Sequence, residues 1–312
     1  MANKDIQKML EQRLGPHARQ RLEIEKDAQD FGQGIGFVSI ENLARSSSIL
    51  IRAVLMATGL YWRGIRNAAK VVIRHNRIES PHLPNAFDGL TIVQLSDLHV
   101  EMSEGAMEHA TDLLREARYD FCILTGDYRG GTYGPYDTTL AGMARVRDAL
   151  KGPIYGVLGD HDTVCMVPGL EEMGIRVLLN ESVVIERGDQ RLYLGGINDA
   201  RSYGVDNIEK AAAAIPHDEF SILLSHTPEV YRQAAAAGFN VLFSGHTHGG
   251  QICLPGGIPI TLLSVLPRSM GAGAWKFHDM MGYTSVGTGS SIVPVRFNCP
   301  PEITLHHLHL SS

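Results

Sequence analysis

The stretch LTIVQLSDLH, Leu90 to His99, is an apolar run that stops abruptly at an aspartate, Asp97, and a histidine, His99. Short apolar runs bounded by polar or turn residues read as buried strands. The same pattern recurs downstream in FCILTGDY (Phe121 to Tyr128), IYGVLGDHD (Ile154 to Asp162), FSILLSHTP (Phe220 to Pro228) and NVLFSGHTH (Asn240 to His248). In each, an apolar run ends and Asp, His or Gly follows within two residues, at the position where a sheet presents ligands to a shared crevice. If extended, Asp97 and His99 point to one side and can grip one ion, and the same holds for His246 and His248. The glycines before Asp127, Asp160 and His246 are expected to let the backbone turn sharply at each strand end.

Working outward, further strands are expected in VVIRHNRI (residues 71–78), in VVIER and RLYLGG around the Gly188-Asp189 turn, in YTSVG (residues 283–287) and in EITLHHL (residues 302–308). Helices are expected from Glu104 to Ala117, Thr138 to Leu150, Asn207 to Ala214 and Glu229 to Ala237. Strands and helices alternate through the middle of the chain, which predicts an α/β layered domain with its sheets at the centre. His306, His307 and His309 alternate with leucines in the last strand, so they are read as structural or exposed and not as a metal tract.

The chain has 312 residues, 44% of them apolar, enough for one catalytic domain plus an extension. A formal net charge of −6 gives no global positive field for nucleic acid, so a phosphate substrate must be captured locally. Cys122, Cys165, Cys253 and Cys299 form no CxxC pair, so neither a zinc knuckle nor a disulfide framework is suggested and a reducing compartment is the simpler reading.

Residues 1–70 read as a helical extension ahead of a domain at 71–312. A polar helix is expected from about residue 4 to 29, then a Gly-rich break, FGQGIG, then a second helical stretch from about Ile40 to Ala69. On one continuous helix, Arg45, Arg52, Arg63, Arg66 and Lys70 would form a basic stripe beside Ile49, Leu50, Val54, Leu55 and Trp62. That is the pattern of a helix lying on an anionic membrane surface. The alternative is a packed helix whose arginines are solvated or pair with Glu23, Glu25, Asp27 or Asp30. The apolar segment from Ile49 to Trp62 is shorter than the roughly 20 residues a spanning helix needs. Together these readings place the protein in the cytoplasm, peripheral on the inner face of the membrane.

Asp97, His99, Asp127, Asp160, His226, His246 and His248 mix carboxylate oxygen with imidazole nitrogen, a donor set for Mn²⁺, Fe²⁺, Zn²⁺ or Co²⁺ in preference to Ca²⁺. Seven donors exceed what one ion takes. Two ions about 3.5–4 Å apart, sharing one carboxylate, would use them all and would activate a hydroxide for in-line attack on phosphorus. Arg129, Asn198 and Arg201 lie in loops after expected strands and are candidate phosphate contacts.

The ordered set D-x-H, G-D, G-[N or D]-H-[D or E], H, G-H-x-H resembles the calcineurin-like metallophosphoesterase superfamily. GHTHGGQICLPG and the tail VPVRFNCPPEITLHHL resemble its bacterial branch of membrane-associated phosphodiesterases and UDP-2,3-diacylglucosamine pyrophosphatases. The resemblance covers about Pro84 to Leu310. It implies a four-layer αββα sandwich of two mixed sheets flanked by helices, with two divalent ions, manganese foremost. Asp97, His99 and His248 would hold the first ion, Asp127 would bridge, and Asp160, His226 and His246 would hold the second. His161 would stabilise the phosphoryl oxygens and protonate the leaving oxygen, with Asp162 orienting its imidazole. The chain departs from the family at Asp160, where Asn is usual, which adds a negative charge to the second ion's shell.

The expected activity is hydrolysis of a phosphodiester or pyrophosphate. The basic helix and the apolar segment IPITLLSVLPRSM (residues 258–270) favour a lipid-linked substrate such as UDP-2,3-diacylglucosamine. A phosphodiesterase acting broadly on soluble substrates is the main rival, and a non-catalytic scaffold on the same fold is the reading from a different class.

Overall fold

The computed structural model describes residues 3–31, 48–262 and 264–311. Two six-stranded mixed sheets face each other. The first runs β1(Val72–Ser80), β14(Glu302–Leu310), β2(Thr91–Leu95), β3(Phe121–Leu124), β4(Ile154–Gly156) and β5(Ile175–Val177). The second runs β12(Gly273–Phe277), β13(Met280–Thr284), β9(Val241–Ser244), β8(Ser221–Leu224), β7(Gln190–Gly196) and β6(Glu181–Arg187). Strands β2 to β5 are parallel, as are β7, β8, β9 and β13, with antiparallel pairs at β14–β2, β12–β13 and β6–β7. A short hairpin, β10(Cys253–Leu254) with β11(Ile258–Pro259), follows the last histidine motif.

Three apolar layers result. Ile92, Phe121 and Ile123 from the first sheet meet Leu194, Ile222, Leu224, Val241 and Phe243 from the second. Parallel strands buried on both faces need continuous apolar runs, which is why FCIL and SILL carry no alternation. On the outer face of the first sheet lie α5(Glu104–Glu116), α6(Asp137–Ala149) and α7(Val167–Glu172). Helix α5 is capped by Ser103, whose hydroxyl accepts from the Ala106 amide, and buries Ala106, Ala110 and Leu114 at four-residue spacing. On the outer face of the second sheet lie α8(Ile208–Ala212), α9(Tyr231–Ala236) and Trp275 of β12. The order helix, sheet, sheet, helix is the αββα sandwich.

The two sheets are also tied by polar groups. Gln94 of β2 donates to Thr125 Oγ1 (3.0 Å) and across the interface to the Ser244 carbonyl (2.9 Å), and its own oxygen meets His306 Nε2 at 2.9 Å. His306 is fully buried against Phe243 and Tyr283. His307 stacks on His75. These histidines are structural, as the leucine alternation suggested.

The N-terminal part differs from its sequence reading in two ways. The polar helix is two helices, α1(Asn3–Leu14) and α2(Pro16–Phe31), broken at Gly15, which has φ +60°, with Pro16 opening the next turn. They are not set apart from the domain, because Leu10, Leu14 and Ala18 enter the first sheet's outer core. The second stretch is also two pieces: residues 48–57 are helical (α3), Gly59 turns the chain at φ +71°, and α4 spans Tyr61–Ala68. A single basic stripe calculated for one straight helix therefore does not exist, and Arg45 lies outside the described residues. No helix among the described residues is long and apolar enough to cross a membrane.

Candidate metal centre

All five motifs converge. Asp97 and His99 follow β2, Asp127 follows β3, and Asp160 and His161 follow β4, all from the first sheet. His226 follows β8, and His246 and His248 follow β9, all from the second. Backbone bonds weld the loops together: the Asp97 amide donates to the Gly126 carbonyl (2.9 Å), the His99 amide to the Asp127 carbonyl (3.0 Å), and the Gly245 amide to the His226 carbonyl (2.9 Å).

The donor atoms form two triads, Asp97 with His99 and His248, and Asp160 with His226 and His246, each within 4.8 Å. Asp127 lies between them, its Oδ2 3.7 Å from His99 Nε2 and 3.4 Å from His226 Nε2. In the first triad, His99 Nε2 and His248 Nε2 are 3.2 Å apart, and Asp97 Oδ1 is 3.3 Å from His248 Nε2. In the second, Asp160 Oδ1 is 3.0 Å from His226 Nε2 and 3.3 Å from His246 Nδ1. Such unbridged gathering of nitrogen and oxygen lone pairs suits divalent cations. The Nδ1 atoms of His99 and His226 face the backbone carbonyls of Arg129 and Thr125, which leaves Nε2 of each as the metal-facing nitrogen.

Asp97 and His99 do share one triad, but not by extended geometry. Their φ values are +50° and +39°, and Asp127, His246 and His248 also have positive φ, at +57°, +70° and +50°. His246 and His248 do not point the same way. The left-handed turns send His248 to the first triad and His246 to the second. The glycines are likewise unequal. Gly126 turns the chain at φ +89°, but Gly159 and Gly245 are there for space: a Cβ would lie 2.1 Å from Asp127 Oδ1 at one and 2.3 Å from Asp97 Oδ2 at the other.

Proton affinities differ between the triads. Burial pushes the pKa of His99 down, and burial with the neighbouring His99 and Arg296 pushes that of His248 well down, which favours the neutral form of each. Burial also opposes charge on His226, but Asp127 and Asp160 outweigh it and hold its pKa well above the usual value. Burial would raise Asp127 and Asp160, yet the facing imidazoles, His226 for the first and His246 for the second, keep both below the usual carboxylate range.

Several residues around the triads make other contacts than expected. Asp162 does not orient His161. Its carboxylate accepts the amides of Asp127 (2.8 Å), Tyr128 (2.9 Å), Arg129 (3.2 Å) and Gly159 (2.9 Å), welding two ligand loops together. Burial, with Asp127 nearby, pushes its pKa up to about 6. His161 Nδ1 instead meets the Thr132 hydroxyl at 3.0 Å, and its ring stands edge-on to His99. Arg129 is buried and donates to the carbonyls of Thr132 and Gly134, so it holds a loop and is not available to phosphate. Asn198 is buried too, accepting from Arg21 and from the Asp199 amide. Of the three phosphate candidates, only Arg201 stands at the opening, with Nη1 2.8 Å from His246 Nε2 and 3.1 Å from Glu229 Oε1.

Three contributors were missed. Ser202 donates to Asp160 Oδ2 (3.3 Å), which meets the extra charge that Asp has over Asn. Thr132 holds His161. Fully buried Arg296 backs the first triad, donating to the carbonyls of Val286 and Gly289, both at 2.7 Å, beside His248. Ser202 and Thr132 had no signal beyond lying in polar loops, whereas Arg296 sits inside the quoted tail.

An αββα sandwich with two Asp/His triads joined at one carboxylate is the arrangement of a metal-dependent phosphoesterase. The chain belongs to the calcineurin-like phosphoesterase family, which it matches over residues 90–250. It is 30% identical over 271 residues to the uncharacterized metallophosphoesterase YkoQ of Bacillus subtilis, covering 83% of this chain and 98% of that one. Phosphodiesterase YaeI of Escherichia coli is 26% identical over 70% of this chain and 81% of its own. A transmembrane protein with metallophosphoesterase domain from Danio rerio is 29% identical over 82% of this chain, which spans 61% of that relative's length.

Proposed function

We propose that the protein hydrolyses a phosphodiester or pyrophosphate at the paired triads, with Asp97, His99 and His248 holding one divalent ion, Asp160, His226 and His246 the other, and Asp127 shared. The observation that carries this reading is the gathering of six donors, in two triads drawn from both sheets, on either side of the Asp127 carboxylate. Two bound ions, manganese foremost, would supply an activated water and polarise a phosphoryl oxygen.

The chain's own residues do the rest. Thr132 occupies Nδ1 of His161, leaving Nε2 to donate to a phosphoryl oxygen or to the leaving oxygen. In the metal-free protein burial works against a proton on this ring, but Asp127, Asp160 and Asp162 outweigh it and raise its pKa. Arg201 is the phosphate clamp. In the present geometry it donates to His246 Nε2, which requires that nitrogen to carry a lone pair. With a divalent ion held at Nδ1, His246 would carry its imidazole proton on Nε2, and Arg201 would be free to turn toward an anionic substrate.

A lipid-linked substrate such as UDP-2,3-diacylglucosamine is favoured by the surface beside the site. Helices α3 and α4 pack Ile51, Leu55, Tyr61 and Ile65 on Ile252, Val293, Val295 and Phe297, next to the segment carrying His248. Their outer side leaves Ile49 (70%), Leu50 and Trp62 (68%) exposed with Arg52, Arg63, Arg66 and Lys70. The β10–β11 hairpin and the segment after it add exposed Leu254, Ile258, Ile260 and Val265. Apolar side chains ringed by cations suit an anionic lipid surface.

The test is elemental analysis of the purified protein, with hydrolysis of bis-p-nitrophenyl phosphate and of a lipid-linked pyrophosphate measured on the same sample with and without Mn²⁺. Two ions per chain, metal-dependent turnover and preference for the lipid substrate are expected. Equal turnover of both substrates would leave the hydrolysis standing and remove the lipid reading. No ion and no turnover would remove both.

A further inference from the structure

Arg21 and Glu25 stand one turn apart on α2, and both are buried, Arg21 completely. Arg21 Nε donates to Glu25 Oε1 at 2.7 Å, but the pair's remaining bonds leave the helix. Arg21 Nη2 donates to the Asp162 carbonyl and Nη1 to Asn198 Oδ1 (3.3 Å), while its guanidinium lies 3.2 Å from the centroid of the Tyr203 ring. Glu25 Oε2 accepts the Thr163 hydroxyl, and Oε1 accepts the Val164 amide at 3.1 Å. Three consecutive residues directly after His161 are thus gripped by two side chains from a helix about 140 positions earlier in the chain.

Packing alone does not call for this. Leu10, Leu14 and Ala18 already anchor the helix pair in the core, and a buried ion pair is a poor source of net stability because of the desolvation of both charges. What a guanidinium and a carboxylate in fixed fork geometry do supply is position. The opposite flank of the loop is held by the Asp162 carboxylate, so residues 159–164 are clamped on both sides with His161 between.

We infer that Arg21 and Glu25 are positioning residues for His161, which makes the N-terminal helix pair a working part of the site. The inference rests on the proposed hydrolysis with His161 protonating the leaving oxygen. A misplaced acid slows departure of a poor leaving group more than that of a good one. A purely structural role would lower both rates by the same factor, through loss of folded enzyme.

The experiment uses the full chain loaded with Mn²⁺ and compares Glu25→Ala, Glu25→Gln and Thr163→Val on bis-p-nitrophenyl phosphate and on diphenyl phosphate, whose phenoxide leaves less readily. For Glu25→Ala, kcat is expected to fall about tenfold on the first substrate and about a hundredfold on the second, with KM and metal content unchanged. Glu25→Gln keeps an acceptor for Arg21 and Val164 and should recover most of the loss. Thr163→Val removes a single hydroxyl without leaving a buried charge unpaired, so it reads the effect even if Glu25→Ala does not fold. It should show the same unequal loss in milder form. Equal losses on both substrates in the variants that fold would reduce the pair to packing. A wild type that hydrolyses neither substrate with its ions bound would instead remove the reaction itself.

Discussion

The two triads use the same donor chemistry and sit side by side, yet they hold protons in opposite ways. In the first, Asp97 and His99 are sealed from solvent and His248 is nearly so, the histidines face each other, and the Arg296 cation lies behind. In the second, Asp160 and His246 are partly exposed, and His226 faces two carboxylates. The first triad's imidazoles are pushed toward the neutral form that binds a metal, while His226 in the second holds its proton more tightly than a free imidazole does. What surrounds a ligand, and not its identity, sets how it competes for a metal.

The strongest way to break this comparison is to remove what the triads share. Asp127→Asn should lower kcat by about a thousandfold or more, since the loss of several kcal/mol of transition-state stabilisation scales as tenfold per 1.4 kcal/mol. Steady-state kinetics at saturating Mn²⁺ would show it, and a loss under tenfold would mean that the triads act independently. Next, His246→Ala should keep one ion per chain bound near wild-type affinity, whereas His248→Ala should weaken the tighter ion by at least about a hundredfold. Metal titration followed calorimetrically separates the two, and identical behaviour would erase the distinction between the sites. The smallest effect sharpens the comparison. His226 has a raised pKa in the metal-free protein, so below that pKa its proton must leave when the ion binds. Affinity of the weaker ion should then rise about tenfold per pH unit and level off once pH passes that pKa, with the tighter ion changing less over the same range. Proton release measured during titration checks the sign.

The strands and the converging motifs were legible because both follow from local chemistry: buried parallel strands demand unbroken apolar runs, and ligands gather where those runs end. The assignment of His246 and His248 to different triads was not legible from spacing, because it depends on left-handed turns that a two-residue interval does not reveal. Asp162 and Arg129 were misjudged for one reason. A carboxylate or guanidinium in a site loop looks the same in sequence whether it meets a neighbouring imidazole, a phosphate or the backbone, and here both are turned inward. The N-terminal helices hid their role because Arg21 belongs to no motif and Glu25 is one acidic residue among several on a polar helix, yet the fold buries both. Gly15 and Gly59 ended helices that composition alone carried through.

Five of the seven candidate ligands, Asp97, His99, Asp127, His246 and His248, stand in backbone conformations that favour glycine. At roughly 1–2 kcal/mol each, the sum of about 5–10 kcal/mol is comparable with the whole net stability of an ordinary domain. Drift toward glycine at these positions would make the chain easier to fold and useless as a catalyst. Any lineage that relaxed its demand for chemistry would be expected to lose these side chains early and keep the sandwich.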